Sequence, residues 1–131
     1  MIFVDTGGWV AYVLPDDAQH NPAVTWMRRN REPLVTTDYI VDEALTVLKA
    51  RGEAWRADRL GMLLLGEQGV TLYYLLPEDI QAAWEVFHRY SDKAWSFTDC
   101  TSKVVMEKLR ISTAFAFDQH FRQFGTVAVI P

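Results

Sequence analysis

Two aspartates in this chain each follow a short apolar run and come directly before sequence typical of a helix. Asp5 follows Ile2-Phe3-Val4, and Asp118 follows Ala114-Phe115-Ala116-Phe117. A strand buried in a parallel sheet has this kind of continuous apolar sequence. The carboxyl ends of parallel strands meet at one edge of an open α/β sheet, where ligands bind. Two carboxylates that meet there repel one another unless a divalent cation lies between them, so the spacing predicts a metal site.

A third carboxylate, Glu43, falls on the apolar side of a predicted helix. It is in line with Ile40, Ala44 and Val47 at helical spacing, whereas its neighbour Asp42 projects elsewhere. A lone glutamate at the border of an apolar surface ordinarily reaches water. A carboxylate drawn into the interior needs a partner, or its pKa rises. Together with the two aspartates at the strand ends, Glu43 favours a site.

The fourth candidate, Asp99, follows Thr98 at the predicted start of a helix. An acidic residue there is favoured by the helix dipole whatever its function. If the chain winds in the usual right-handed sense, this helix begins at the same edge of the sheet. Asp99 then points into the crevice, with Ser102 one turn further along. We predict that Thr98 caps this helix and holds the Asp99 carboxylate.

All four candidates offer carboxylate oxygens, and this ligand type determines which ions they can bind. Hard cations such as Mg²⁺ and Mn²⁺ prefer oxygen ligands. Such an ion activates a water molecule and neutralises charge that develops on a phosphodiester, while a spare carboxylate acts as general base.

The histidine and cysteine residues give little support to a zinc site. His20, His88 and His120 lack zinc-like spacing to one another or to Cys100. His120 lies two residues after Asp118, so it can reach the rim of the crevice, but we expect it at the surface. We expect Cys100 to be a small buried apolar residue. Gly-x-Ser-x-Gly, P-loop and Gly-x-Gly-x-x-Gly motifs are absent, so acyl transfer and nucleotide-cofactor chemistry lack support.

Strands and helices alternate along the chain, which predicts βαβ units. We therefore expect an α/β fold, with one domain over residues 1–131 and a short central parallel sheet covered by helices on both faces. The predicted strands are 2–5, 34–36, 70–75, 113–117 and 127–129. The predicted helices are 6–14, 21–31, 38–50, 54–65, 77–90 and 99–109, with a short helical turn after residue 118.

Composition narrows the class of protein. The chain is 50% hydrophobic with a net charge of −4, which argues against disorder and against a generic basic nucleic-acid binder. A nuclease remains open because a metal supplies positive charge. We expect the basic clusters 28–31 and 49–59 to lie on solvated helix surfaces. The single cysteine, and the lack of a signal-peptide pattern or a membrane-length apolar run, predict a cytoplasmic protein without a membrane partner.

Four short motifs, in order, cover essentially the whole chain. They are Val4-Asp5-Thr6, Asp42-Glu43, Ser96-Phe97-Thr98-Asp99 and Ala116-Phe117-Asp118-Gln119-His120-Phe121. Each is weak alone, but their order and spacing make the combination specific. With them the chain resembles the PIN-domain nucleases, in particular the VapC-type toxins of bacterial and archaeal toxin–antitoxin pairs.

The resemblance implies a role for each matching residue. Asp5, Glu43, Asp99 and Asp118 match the acidic quartet that holds one or two Mg²⁺ or Mn²⁺ ions in that family. It implies that Asp5 and Asp99 are the principal metal ligands, that Glu43 and Asp118 complete the site directly or through water, and that Thr98 supports them. It further implies an endoribonuclease acting on tRNA or rRNA, a homodimer, and a small antitoxin that inserts a segment across the active-site groove.

Three other classes of protein remain as alternatives. A haloacid-dehalogenase-like phosphatase needs a second aspartate two residues after the first, but the sequence here is Asp5-Thr6-Gly7. A receiver-type module needs a phospho-acceptor aspartate at the end of a middle strand, and Leu34-Val35-Thr36-Thr37 has none. A non-catalytic interaction module predicts that the acidic side chains pair with arginine or lysine.

Overall fold

Five short strands, all parallel, form one sheet in the computed structural model, which describes all 131 residues. The strands are β1 (Ile2–Val4), β2 (Leu34–Thr37), β3 (Val70–Tyr73), β4 (Thr113–Phe115) and β5 (Ala128–Ile130). The helices are α1 (Thr6–Val13), α2 (His20–Arg29), α3 (Asp38–Ala50), α4 (Ala54–Leu65), α5 (Pro77–Arg89), α6 (Phe97–Leu109) and α7 (His120–Gln123). The predicted single α/β domain is confirmed.

The central strand is β1, in the order β3-β2-β1-β4-β5. Phe3 pairs with Val35 of β2 on one side and with Ala114 of β4 on the other. The strand order therefore reverses at β1, which creates a crevice at the carboxyl ends of β1 and β4. All three residues of β1 are buried although they alternate between the two faces, so helices cover both faces of the sheet.

Local sequence explains where the helices begin. Thr37 caps α3, since its hydroxyl oxygen accepts a hydrogen bond of 3.2 Å from the backbone N–H of Ile40. The prediction for the start of α6 was wrong by two residues. This helix begins at Phe97 because Ser96, rather than Thr98, is its cap. The strands β1, β3 and β4 are shorter than predicted, whereas β2 is one residue longer and β5 is shifted by one residue. The loop that carries Asp118 starts just after Phe115.

A single apolar core packs the sheet against the helices. Its largest fully buried side chains include Trp9, Phe3 and Phe115. The fit between α1 and β4 is close, because a Cβ atom on Gly8 would lie 2.8 Å from the carbonyl oxygen of Phe115. None of the helices combines the length and the apolar character that a membrane span requires.

Candidate metal centre

Asp5 lies where β1 passes into α1, as its N-cap. Its backbone N–H donates a 3.1 Å hydrogen bond to the carbonyl oxygen of Phe115, which ties the end of β1 to β4. The side chain is buried. Burial raises the pKa of Asp5 well above its usual value, and the negative charges of Asp118, Asp99 and Glu43 raise it further. Asp5 therefore lies in the combined field of the other three candidates.

Asp99 lies in the first turn of α6, where it is held by a capping box. The Ser96 hydroxyl accepts a 3.0 Å hydrogen bond from the Asp99 N–H, and the Ser96 N–H donates a 2.9 Å bond to Asp99 Oδ2. The side chain is 9% exposed. The predicted capping role of Thr98 was therefore wrong, and no hydrogen bond joins its hydroxyl to Asp99. The Thr98 carbonyl instead accepts a bond from the Thr101 hydroxyl.

Asp118 and His120 face Asp99 from the loop between β4 and α7. One ligand atom from each of the three residues can be chosen so that all lie within 4.8 Å of one another. His120 Nδ1 is 2.7 Å from Asp99 Oδ2, and the ring is 28% exposed. His120 is therefore half-buried beside the candidate ligands, as the alternative position at the crevice rim predicts, rather than free at the surface. The contact of His120 with α6 could not be predicted from the local sequence. The Asp-x-His spacing after a strand is nevertheless a signal that a histidine lies close to the aspartate.

Glu43 projects from α3 as its helical position predicts. It is half-buried, whereas Asp42 is exposed. Asp5 and Glu43 stand outside the tight group of Asp99, Asp118 and His120. The charge of Glu43 still raises the pKa of Asp5, so Glu43 acts electrostatically on the buried carboxylate.

These four carboxylates have no lysine or arginine partner; only His120 lies within ion-pair distance of any of them. Asp79 provides the contrast elsewhere in the chain. It is also buried, but it accepts hydrogen bonds from the Tyr73 hydroxyl (2.6 Å), the Leu76 N–H (2.9 Å) and the Lys108 ammonium (3.0 Å). Burial acts to raise the pKa of Asp79, yet these bonds outweigh it and the pKa is lowered. The arrangement around Asp5 disfavours the interaction-module alternative, which requires paired carboxylates.

The surroundings fit a hard divalent cation. The hydroxyls of Thr6 and Ser102 are buried and have no hydrogen-bond partner. Thr6 follows Asp5 directly, and Ser102 is one turn after Asp99 on α6. Clustered carboxylates with unpaired hydroxyls beside them match the oxygen donors that Mg²⁺ and Mn²⁺ prefer.

Cys100 and the basic clusters lie outside this chemistry. Cys100 is fully buried, and burial raises the pKa of its thiol to about 11. Arg28, Arg56 and Arg59 border a groove of about 840 Å³ beside the carboxyl-terminal end of α1. Asp5 precedes the other end of this eight-residue helix, about 12 Å away. As expected, most of these basic side chains are exposed on helices.

Comparison with known proteins places the chain in a family. The family model described as PIN domain matches residues 2–127. The 23S rRNA-specific endonuclease VapC20 of Mycobacterium tuberculosis is 32% identical over 131 residues, which cover 100% of this chain and 99% of that protein. The crystal structure of M. tuberculosis VapC20, a Sarcin-Ricin loop cleaving toxin, superposes with a TM-score of 0.93 at 30% identity, with full coverage of both chains.

A more distant structure shares the fold alone. FitAcB from Neisseria gonorrhoeae superposes with a TM-score of 0.68 at 17% identity, over 100% of this chain and 97% of that one. The matched family model covers nearly the whole chain, and the identity to VapC20 extends over the full length of this chain. This chain therefore belongs to the PIN-domain family and, within it, to the VapC-type toxins.

Proposed function

We propose that this chain is a Mg²⁺- or Mn²⁺-dependent endoribonuclease toxin that hydrolyses phosphodiester bonds of ribosomal RNA. One observation carries the proposal: the four carboxylates act on one another, directly or through their charges, and none of them has a lysine or arginine partner. Asp99 and Asp118 lie close together, and the charges of Asp118, Asp99 and Glu43 raise the pKa of the buried Asp5. The full-length relationship to VapC20, which is named as specific for 23S rRNA, favours rRNA over tRNA as the substrate. We take the functional PIN-like unit to be residues 1–131.

The catalytic residues of this proposal are Asp5, Glu43, Asp99 and Asp118. Asp5 and Asp99 are the principal metal ligands, because they are the two buried members and lie at the carboxyl edge of the sheet. Glu43 and Asp118 are more exposed, and they complete the site directly or through water. Thr98 supports the site through the first turn of α6, where its carbonyl is fixed by Thr101.

The proposal assigns each of the four carboxylates a role in hydrolysis. The bound ion would supply Lewis-acid chemistry, activating a water molecule and neutralising the charge that develops on the phosphodiester. Glu43 and Asp118 are exposed enough to reach that water, and either can accept its proton as general base. Asp99 keeps one oxygen, Oδ1, free of the hydrogen bonds that fix Oδ2. Asp5 is almost fully buried, so its carboxylate has little contact with solvent.

Two protein partners belong to the proposal. The first is a small cognate antitoxin that covers the active-site groove of this cytoplasmic toxin. The second is another copy of the chain. Trp84 and Phe87 of α5 are exposed and stacked at 6.0 Å, and Phe87 contacts the ring of Phe97 next to Thr98. An exposed apolar patch of this kind is typical of a subunit interface. Light scattering that gives a dimer for the wild type and a monomer for Trp84→Glu would support this surface.

The main test compares RNA cleavage by the purified chain and by two variants. Ribosomes and total tRNA would be incubated with Mn²⁺, Mg²⁺ or EDTA. We expect a discrete rRNA fragment that requires metal and is lost in Asp99→Asn. Asp42→Asn is the matched control, because Asp42 is exposed whereas its neighbour Glu43 is half-buried.

Three results would contradict the proposal in different ways. Cleavage of tRNA alone would overturn the substrate class and leave the chemistry standing. Equal cleavage in EDTA would overturn the metal dependence. Background cleavage that is the same for wild type and Asp99→Asn would favour the phosphatase or interaction-module alternatives.

A further inference from the structure

His120 contacts two of the candidate ligands at once. Its ring Nδ1 lies 2.7 Å from Asp99 Oδ2, and its backbone N–H donates a 2.9 Å hydrogen bond to Asp118 Oδ1. The two aspartates come from different elements, because Asp99 is on α6 and Asp118 is in the loop before α7. A single residue therefore holds carboxylates that are 19 positions apart in sequence.

The hydrogen bonds leave one oxygen of each carboxylate available. Asp99 Oδ2 accepts from the Ser96 N–H and from His120, which occupies its two lone-pair directions. Asp118 Oδ1 accepts from the backbone N–H of His120. These bonds fix the rotation of both carboxyl groups and leave Asp99 Oδ1 and Asp118 Oδ2 free for a cation.

The ring nitrogen acts here as a donor. A carboxylate accepts hydrogen bonds only, so the nitrogen that bonds to Asp99 carries the hydrogen and has no lone pair for a metal. This is the contact that outer-shell residues make when they orient metal ligands.

We propose that His120 is a positioning residue that sets the orientation of Asp99 and Asp118 for the metal ion. The inference rests on the proposed metal-dependent function. Its action passes through the ligand carboxylates and involves no direct bond between the imidazole and the ion. Loss of an outer-shell hydrogen bond typically weakens metal binding by about 10- to 100-fold.

The test measures Mn²⁺ affinity by titration calorimetry and by electron paramagnetic resonance of free Mn²⁺, on the full chain. We expect His120→Ala to bind Mn²⁺ roughly 10- to 100-fold more weakly than the wild type. His120→Asn should regain most of the lost Mn²⁺ affinity. The amide nitrogen of asparagine is the same number of bonds from Cα as Nδ1 of histidine, and it can donate a hydrogen bond to Asp99. His88→Ala is the matched control, since His88 is exposed on α5 against Trp84.

A fourth variant protects the test from misfolding. His120→Leu keeps side-chain bulk but removes the hydrogen-bond donor. If His120→Ala does not fold, the Mn²⁺ affinities of His120→Leu and His120→Asn are compared instead. Metal-free circular dichroism of each variant identifies those that fold.

Several results would overturn the inference. Unchanged Mn²⁺ affinity in folded His120→Ala or His120→Leu would do so while leaving the metal site itself intact. A directly coordinated nitrogen in the electron spin-echo spectrum of the Mn²⁺-loaded wild type would make His120 a ligand instead. Absence of Mn²⁺ binding by the wild type would overturn the metal-dependent function together with the inference.

Discussion

At the scale of single residues, the chain contains two buried carboxylates in opposite environments. Asp79 is compensated by Lys108 and Tyr73, and its pKa is lowered. Asp5 is surrounded by other carboxylates, and its pKa is raised by burial and by their charge. A buried carboxylate without a cationic side chain destabilises the fold, which makes Asp5 a candidate for a functional residue.

The first prediction concerns Asp5 and pH. The pKa of Asp5 is higher in the folded than in the unfolded chain, so between those values the folded chain binds more protons. The free energy of unfolding therefore falls as pH rises through that range. In EDTA we expect Asp5→Asn to melt above the wild type near neutral pH, with the difference shrinking as pH falls towards the unfolded-state value of about 4. Thermal melts across pH measure this.

The same variant should lack RNA cleavage, because Asn removes a charged ligand. Asp79→Asn is the counterpart, and it should lower the melting temperature because it breaks the contacts with Lys108 and Tyr73. A wild-type stability that rises with pH above about 5 would contradict the environment assigned to Asp5.

The second prediction compares neighbours on α3. Glu43→Gln should reduce cleavage far more than Asp42→Asn, because only Glu43 is half-buried and acts electrostatically on Asp5. General acid–base groups typically contribute about 100- to 10,000-fold to a rate, which sets the scale of the expected loss. Single-turnover cleavage rates at saturating Mn²⁺ measure it. Equal losses of cleavage rate in the two variants would show that Glu43 is not part of the site.

At the scale of elements, the position of α1 fixes the position of Asp5. Gly8 of this helix lies against β4 so closely that a Cβ would come within 2.6 Å of the Phe115 ring and 2.8 Å of its carbonyl oxygen. The backbone oxygen cannot rotate away, so α1 would have to shift. The absence of a side chain at residue 8 therefore keeps the end of β1 against β4, where the carboxylates meet.

The third prediction follows from this contact. Gly8→Ala should destabilise the fold by about 1–3 kcal/mol through overpacking. Gly61→Ala is the matched control on α4, where the added Cβ meets only Leu45 at 3.5 Å. That change should be stabilising by about 0.4–1 kcal/mol, since it lowers the entropy of the unfolded chain. Urea unfolding distinguishes the two, and a neutral Gly8→Ala would show that α1 is free to move.

At the scale of the whole molecule, the strand order decides which carboxylates meet. β1 lies between β2 and β4, so the loops after β1 and β4 open side by side. α3 follows β2 directly, and Asp99 in the first turn of α6 lies beside Asp118 and His120 of the chain that follows β4. The mutual repulsion of these groups is a property of the folded molecule alone, because the unfolded chain keeps them apart.

The fourth prediction is stabilisation by metal. An ion that binds only the folded chain raises the free energy of unfolding by about 2.7 kcal/mol at a concentration of 100 times its dissociation constant. We therefore expect Mn²⁺ to raise the melting temperature of the wild type by several degrees and that of Asp5→Asn by much less. Scanning calorimetry with Mn²⁺ and with EDTA measures the shift. An equal shift in both proteins would indicate binding elsewhere.

Local sequence was sufficient for much of this architecture. The apolar runs that end in Asp5 and Asp118 predicted buried strands, since only strands covered on both faces are continuously apolar. α4 has the predicted bounds, and Glu43 lies on the predicted side of α3, because helical periodicity depends only on nearby residues. The parallel sheet further predicts that the four acids share a crevice at its carboxyl edge, and of these four Asp99 and Asp118 lie close together.

Tertiary structure alone decided the remaining details. Ser96 replaced Thr98 as the cap of α6, since choosing among adjacent hydroxyls depends on where the preceding loop directs the chain. His120 reached Asp99 because α7 packs beside α6, a contact between residues distant in sequence. The sequence by itself determined which side chains were available for metal chemistry, because residue type and the periodicity of the apolar residues depend on local sequence alone. Only the packed molecule decided how they are oriented, because those hydrogen bonds join separate elements.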